Sequence, residues 1–287
     1  MSDNPQVSRD TFFALGFGVV ALTGPEAVKF AHAQFMSDVA GLADGHWQWS
    51  GWLTPKGRVI ALFALLRLDA RTLWLLLPDG DAGELAAQLR RFVFRSKLAI
   101  EVRDDLVARG AFVGPSGANA SAIEGDAAQG VLLDLGADGG ARTIHVGTEH
   151  APEDAAALAR WKRFDLEHGL PRLDASQREQ WTPQMLSLDR LRAFSVKKGC
   201  YPGQEIVART HFLGQAKRGL AVLSAFAPIG IGADVELDGA VVGKVVASTL
   251  DPPCLALAVL PLERVDGPLR AGGLVLHDIP LRDGLAR

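Results

Sequence analysis

A chain of 287 residues with 48% hydrophobic and 22% charged content has the composition of a globular protein with enough apolar material for two or three domains. Its formal net charge of −3 excludes an overall basic face for nucleic acid or anionic lipid, so any site for a polyanion must be local. Two cysteines cannot supply a disulfide framework or the four thiolates of an iron–sulfur cluster, and the seven histidines show no HxxxH or HExxH spacing, so no metal site is expected.

In chain order, "FFALGFGVVALTG" lacks a basic leader region and a cleavage site, is interrupted by Gly16 and Gly18, and is too short to span a bilayer. It reads as strand material. A reducing, cytoplasmic setting is expected, with no membrane contact. "VVALTGPEAVKFAHAQFMSDVAGL" reads as strand, turn and helix, with Val28, His32, Phe35 and Val39 on one face. His32 is then a core histidine, and Gln34 and Asp38, four apart, share an adjacent face. "TPKG" is the turn of a hairpin whose first arm carries Trp47, Trp49 and Trp52, with Trp47 and Trp49 on one side. "TLWLLLPDG" is a further strand, "AGELAAQLRRFVFRSK" a helix and "AIEVRDD" a strand. The order suggests an α+β unit with antiparallel strands.

The Ala-, Gly- and Asp-rich stretch from Ser116 to Arg142 reads as surface loop. "APEDAAALARWKRFDLEHGLP" is a helix closed by Gly169 and Pro171, with Leu158, Trp161 and Phe164 as its apolar stripe. Glu167 stands at the edge of that stripe, four residues from Arg163. Short apolar runs after Arg218, with Asp-Gly at one turn, predict a small all-β C-terminal domain. No Walker-type loop or GxGxxG is present.

The stretch "KKGCYPGQE", Lys197 to Glu205, holds one of the two cysteines and the only tyrosine. From Asp189 to Arg218 seven Lys/Arg against two acids leave a local charge of +5. Pro202-Gly203 suits the centre of a type II turn, because Gly tolerates positive φ. Cys200 then stands on a bent segment between lysines and an aromatic ring, where ammonium groups favour the thiolate. Gln204 and Glu205 can grip the hydrogen-bonding edge of a heterocycle. Cys254, in "DPPCLALAVLP", reads as packing.

The segment "LDRLRAFSVKKGCYPGQEIVARTHFLGQAKRGL" closely resembles the signature of the YgfZ-type folate-binding proteins, K-G-C-aromatic-x-G-Q-E, met by Lys198, Gly199, Cys200, Tyr201, Gly203, Gln204 and Glu205. "FAHAQFMSDVAGL" resembles a second family segment, matching it at Gln34 and Asp38. "LTPKGRVIALF" resembles the family's turn, and "EHGLP" its element before the signature. That family shares its fold with the T-protein of the glycine cleavage system, an aminomethyltransferase. The resemblance implies an α+β protein of three domains around a central cavity with a small all-β C-terminal domain. The expected boundaries are 1–45 with 110–212, an inserted 46–109, and 213–287. It implies tetrahydrofolate or a polyglutamyl derivative as cofactor. It also implies a role in iron–sulfur cluster assembly or repair, with iron–sulfur clients as partners and no nucleic acid as direct ligand. Cys200 is the catalytic candidate. Lys198, Gly199, Tyr201, Gly203, Gln204, Glu205, Glu167, Gln34, Asp38 and Arg209 are the folate-binding candidates. Glu167 in "LEHG" matches the glutamate with which the T-protein holds the pterin. The T-protein's Asp pair after the hairpin turn is replaced by Ala61 and Leu62, which argues against aminomethyl transfer.

Overall fold

The computed structural model describes residues 12–214 and 216–287. Chain order is β1 (Phe13–Ala14), β2 (Gly18–Thr23), α1 (Ala27–Gln34), β3 (His46–Leu53), β4 (Val59–Arg67), β5 (Thr72–Leu77), α2 (Ala82–Arg90), β6 (Ala99–Val102), β7 (Val107–Ala111), β8 (Glu124–Asp126), β9 (Gly130–Asp134), β10 (Thr143–Gly147), α3 (Ala155–Glu167) and α4 (Gln204–Leu213). Six strands follow: β11 (Arg218–Ala225), β12 (Asp234–Leu237), β13 (Ala240–Ser248), β14 (Cys254–Pro261), β15 (Leu269–Ala271) and β16 (Leu274–Ile279).

One sheet runs β1-β7-β10-β9-β8, a second runs β3-β4-β5-β2-β6, and the last six strands, expected as a small all-β domain, close into a barrel. β2 pairs with β5 and β6, so the first 45 residues feed both sheets: β1 joins the first, β2 the second. A cut at 45/46 therefore separates β2 from its hydrogen-bonded neighbours.

Three apolar layers follow from strand alternation. Trp47, Trp49 and Trp74 of the second sheet share a core with Val131, Leu133, Ile144 and Val146 of the first, Trp161 of α3, and Leu220, Leu257 and Val259 of the barrel wall. The opposite face of the second sheet carries Trp52, Phe63, Leu65 and Leu75 and is covered by Phe30 and Ala31 of α1 and Leu85 and Leu89 of α2. The barrel encloses its own interior around Leu223, Val235, Val245 and Ala258. Trp47 and Trp49 lie edge to face at 5.3 Å, as their alternation predicts.

Several expectations are corrected. α1 stops at Gln34 instead of running to Val39. Phe35 turns extended, bridges to Trp52 and buries its ring edge-on against Phe63 at 5.0 Å, while Met36 N–H donates to Gly51 O at 3.0 Å. Pairing with the edge of β3 outweighs the helical period, so Gln34 and Asp38 do not share a helix face. α2 likewise ends at Arg90, and 91–97 proceeds by turns in which Phe94 has φ +43°. The stretch from Ser116 to Arg142 contains the β8–β9 hairpin. Its missed signal is the alternation Val131, Leu133, Leu135, all buried. The basic segment also contains α4, for which no helix was expected.

Candidate functional site

The 195–205 loop is held from several sides. Ser195 N–H donates to Met36 O at 2.8 Å, and Ser195 Oγ accepts from the Lys197 and Lys198 amides at 3.2 and 3.3 Å. Tyr201 is buried, and its hydroxyl donates to Ser195 O at 3.1 Å. Burial pushes that phenol up to about 12, so it stays protonated as a donor. Lys198 Nζ turns inward and donates to the carbonyls of His32, Phe35 and Ser37, the end of α1 and the strand-like segment after it. It also stands 4.7 Å from the centre of the Tyr201 ring. Burial pushes its ammonium down to about 8, with Asp38 pulling the other way. Lys198 thus anchors the loop through carbonyls that the end of a helix leaves free, and only Lys197 of the pair is exposed.

The turn forms as the sequence predicts. Gln204 N–H donates to Tyr201 O at 3.1 Å, and Gly203 has φ +79° and ψ −1°, the third position of a type II turn. Gln204 Nε2 reaches back to Lys198 O at 3.0 Å. Gly203 rests on the β3–β4 hairpin turn: a Cβ there would lie 2.6 Å from Thr54 O and 2.7 Å from Gly57 Cα. The "TPKG" turn is therefore the floor of the Cys200 loop. Gly203→Ala is expected to cost about 2 kcal/mol or more, from forcing left-handed backbone on a residue with a side chain and from displacing the hairpin. Denaturant unfolding checks this. A loss below about 0.5 kcal/mol, the range of ordinary surface changes, would show that the turn is not fixed by the hairpin.

Cys200 sits exposed at the apex of this braced loop. His32 borders it, since a Cβ on Gly199 would be 3.9 Å from His32 Nε2. The ring is only partly buried, which corrects its reading as a core histidine. Its Nδ1 accepts from Ala40 N–H at 3.1 Å and lies 3.4 Å from Asp38 Oδ1. Burial and the Lys198 charge lower its pKa against the pull of Asp38, so the ring is neutral with its proton on Nε2. Gln34 closes α1 beside this cluster, and its Oε1 is buried without a donor. Asp38, Glu205 and Arg209 are exposed, Glu205 in the first turn of α4 and Arg209 one turn on.

Glu167 stands elsewhere. Its carboxylate pairs with Arg163 at 3.4 Å and Arg282 at 3.0 Å, and its carbonyl accepts from Arg282 N–H. Arg282 was not found by sequence reasoning, because nothing in its local sequence links it to α3. Beside the end of α4 lies a cavity of about 560 Å³, within the usual range for small-molecule sites. Arg190, His211, Arg218 and Gln184 line it. Arg190 and Leu281, also in its wall, pack against Gly169, two residues beyond Glu167. Gln184 is buried, gives its Nε2 to Val207 O at 2.8 Å, and has an Oε1 without a donor. In this cavity the unpaired Gln184 oxygen and the Arg218 cation fit a ligand that carries an N–H donor and an acidic group, while Arg190 is paired with Asp283 and Asp189 also lines the wall.

The position of the T-protein Asp pair offers no free carboxylate. Leu62 is in the core, and Ala61 lines a cleft of only about 30 Å³. The acids of that cleft are engaged: Asp79 by Arg172, Glu84 by Arg178, and Asp81 in capping α2. Asp69 lies in the β4–β5 turn, accepting from Arg71 N–H. Among the described residues no cluster of His, Cys, Asp and Glu could hold a metal, and no helix is long and apolar enough to cross a membrane.

The fold is that of the T-protein class. The chain superposes on the glycine cleavage system aminomethyltransferase T from Bartonella henselae with a TM-score of 0.69 at 17% identity, over 93% of this chain and 84% of that one. Within that class it is similar to proteins named YgfZ, the resemblance that its cysteine motif implied. It is 26% identical to the tRNA-modifying protein YgfZ of Colwellia psychrerythraea and 28% identical to that of Klebsiella pneumoniae, in each case over 72% of this chain and 69% of the relative. No protein-family model matches.

Proposed function

We propose that this protein binds tetrahydrofolate, in a polyglutamyl form, and supports iron–sulfur cluster assembly or repair in client enzymes without transferring an aminomethyl group. The observation that carries the reading is the loop itself: a single exposed thiol on a segment fixed by Lys198, Tyr201, Gly203 and Gln204. Fixing a thiol this firmly costs conformational freedom, which suits a thiol that must meet something in one orientation. The relatives named YgfZ and the T-protein-like fold support a folate relationship. The cavity beside Gly169 and α4, with its cations and the unpaired Gln184 oxygen, supports a site for the p-aminobenzoyl-glutamate part, and Gln34 supports a second contact near the loop. Glu167 would need to leave Arg163 or Arg282 to meet a pterin, or to meet it while still paired. In this reading three domains border the folate cavity.

A folate-dependent one-carbon transferase is the second reading, favoured by relatives named for tRNA modification. The absence of a free carboxylate at Ala61 and Leu62 argues against it, since such acid–base help is worth ~10²–10⁴-fold. One experiment separates the two. Calorimetry should show tetrahydrofolate binding, tighter for polyglutamates and weakened by salt. A reconstituted assay with lipoyl carrier protein should show no methylene-tetrahydrofolate or ammonia above background. No binding would remove the folate reading. Turnover lost in Asp38→Asn would establish the transferase.

A further inference from the structure

The segment after α2, "RRFVFRSK" from Arg90 to Lys97, holds four cations and no acid in a protein of net charge −3. None of the four is paired with a carboxylate among the described residues. Arg90 Nε donates to Ile100 O at 2.8 Å, and Glu26 binds the Lys97 backbone N–H at 2.7 Å, not its ammonium. Lys29 on α1, 83% exposed, is 3.7 Å from Glu26 and so adds no unpaired charge to the four.

Two aromatic rings stand within this charge. Phe94 is 87% exposed and is held in left-handed backbone at φ +43°, a conformation that a side chain disfavours. Phe92 is 40% exposed, propped edge-on against Trp52 at 5.7 Å with an interplanar angle of 83°. An exposed phenyl ring in strained backbone gains nothing from folding, and the successive turns of 91–96 hold it outward. Neither cavity described above is lined by residues 90–97. The surface presents its rings and cations outward.

We propose that Arg90–Lys97 is a docking ridge for single-stranded RNA, in which Phe94 and Phe92 stack on unpaired bases and Arg91, Arg95 and Lys97 meet phosphates. Base–aromatic stacking needs an exposed ring face, and phosphates need cations without competing acids. Two platforms span only two or three bases, which suits the short unpaired loops that RNA presents. The ridge is linked to the cysteine loop through the core: Phe92 touches Trp52, Trp52 bridges to Phe35, and Phe35 O is held by Lys198. The overall acidity hides this site from any reading of net charge. The inference is independent of folate binding.

The test is fluorescence anisotropy with the full chain and a labelled RNA stem-loop. A fully paired RNA duplex, an oligo-glutamate peptide and phosphatidylserine vesicles serve as competitors. The stem-loop should bind more tightly than any competitor. Phe94→Ala should weaken it by about 10-fold or more, and Phe94→Trp should retain it. Replacing Arg91, Arg95 and Lys97 with glutamine should reduce the slope of log affinity against log salt by about 2. Phe94 is too exposed for its loss to unfold the protein, and circular dichroism confirms this. Equal binding of duplex and stem-loop, or no effect of Phe94→Ala, overturns the proposal. Tighter binding of oligo-glutamate or of vesicles also overturns it, making the ridge a site for an acidic protein or a lipid surface.

Discussion

Asp165→Ala is expected to remove about 3–5 kcal/mol of stability, the range for breaking a buried ion pair from one side. Arg142 is fully buried and Asp165 is 1% exposed, with Nη1 and Oδ1 2.7 Å apart. The guanidinium lies between the rings of Trp161 and Phe164, 4.3 and 3.9 Å from their centres. Arg172 takes the other Asp165 oxygen at 3.3 Å and clasps Asp79 with its Nε. The chain of charges thus ties β10, α3, the segment after Gly169 and the end of β5 together. Burial pushes the Arg142 guanidinium down, and its Nη2 has no partner, so Asp165 is the charge that makes its burial tolerable. Without Asp165 that cation keeps only the rings and two long hydrogen bonds, to Leu135 O and Trp161 O at 3.4 Å, and no counter-charge. Arg172 keeps Asp79, so the loss falls on Arg142. The double change Arg142→Met with Asp165→Leu should recover most of the loss, because an apolar pair of similar volume needs no counter-charge. Urea unfolding of both variants checks this. A single variant within about 0.5 kcal/mol of the parent would mean that water or rearrangement relieves the arginine.

What the sequence disclosed was what is fixed locally. The type II turn at Pro202-Gly203 was legible because only glycine suits that φ, and the "TPKG" hairpin because turn residues punctuate two apolar runs. The all-β C-terminal domain was legible in short strands split by Gly, Pro and Asp, but their closure into a barrel was not. What failed was where distant strands decide. Phe35 has the right spacing to extend α1, but Trp52 and Phe63 offer it a buried place only if the helix ends. His32 lay on an apolar helical face by spacing, yet the loop around Gly199 and Ala40 draws it to the site's edge. Lys198 was read as a ligand contact from its place in the motif. The structure gives its ammonium three carbonyls of a segment some 160 residues away, a contact that sequence spacing cannot reveal. Through these contacts it holds the loop that carries Cys200.

Cys200→Ser is expected to reduce rescue of an iron–sulfur enzyme in cells to background while leaving stability within about 0.5 kcal/mol of the parent, as for other exposed changes. Cys254→Ser should do the opposite. Cys254 is 1% exposed at the start of β14, with its thiol against Leu250 O at 3.5 Å, so a smaller, more polar hydroxyl there costs about 1–3 kcal/mol. The two cysteines thus separate a chemical role from a packing role within one chain. The apex position matters because three side chains of the motif around Cys200 are committed to holding the loop: Tyr201 to Ser195 O, Gln204 to Lys198 O, and Lys198 to the end of α1. These contacts survive the change of sulfur to oxygen, so a loss of rescue reports the thiol and not the loop. Serine keeps the hydrogen-bonding capacity but is far less acidic and less nucleophilic than a thiol, so a purely polar contact to folate would survive the change. Calorimetry on Cys200→Ser is therefore expected to show tetrahydrofolate affinity unchanged. Full rescue by Cys200→Ser would leave the motif with a binding role only, and loss of folate affinity would make the sulfur part of the folate site instead of the group that acts on the client.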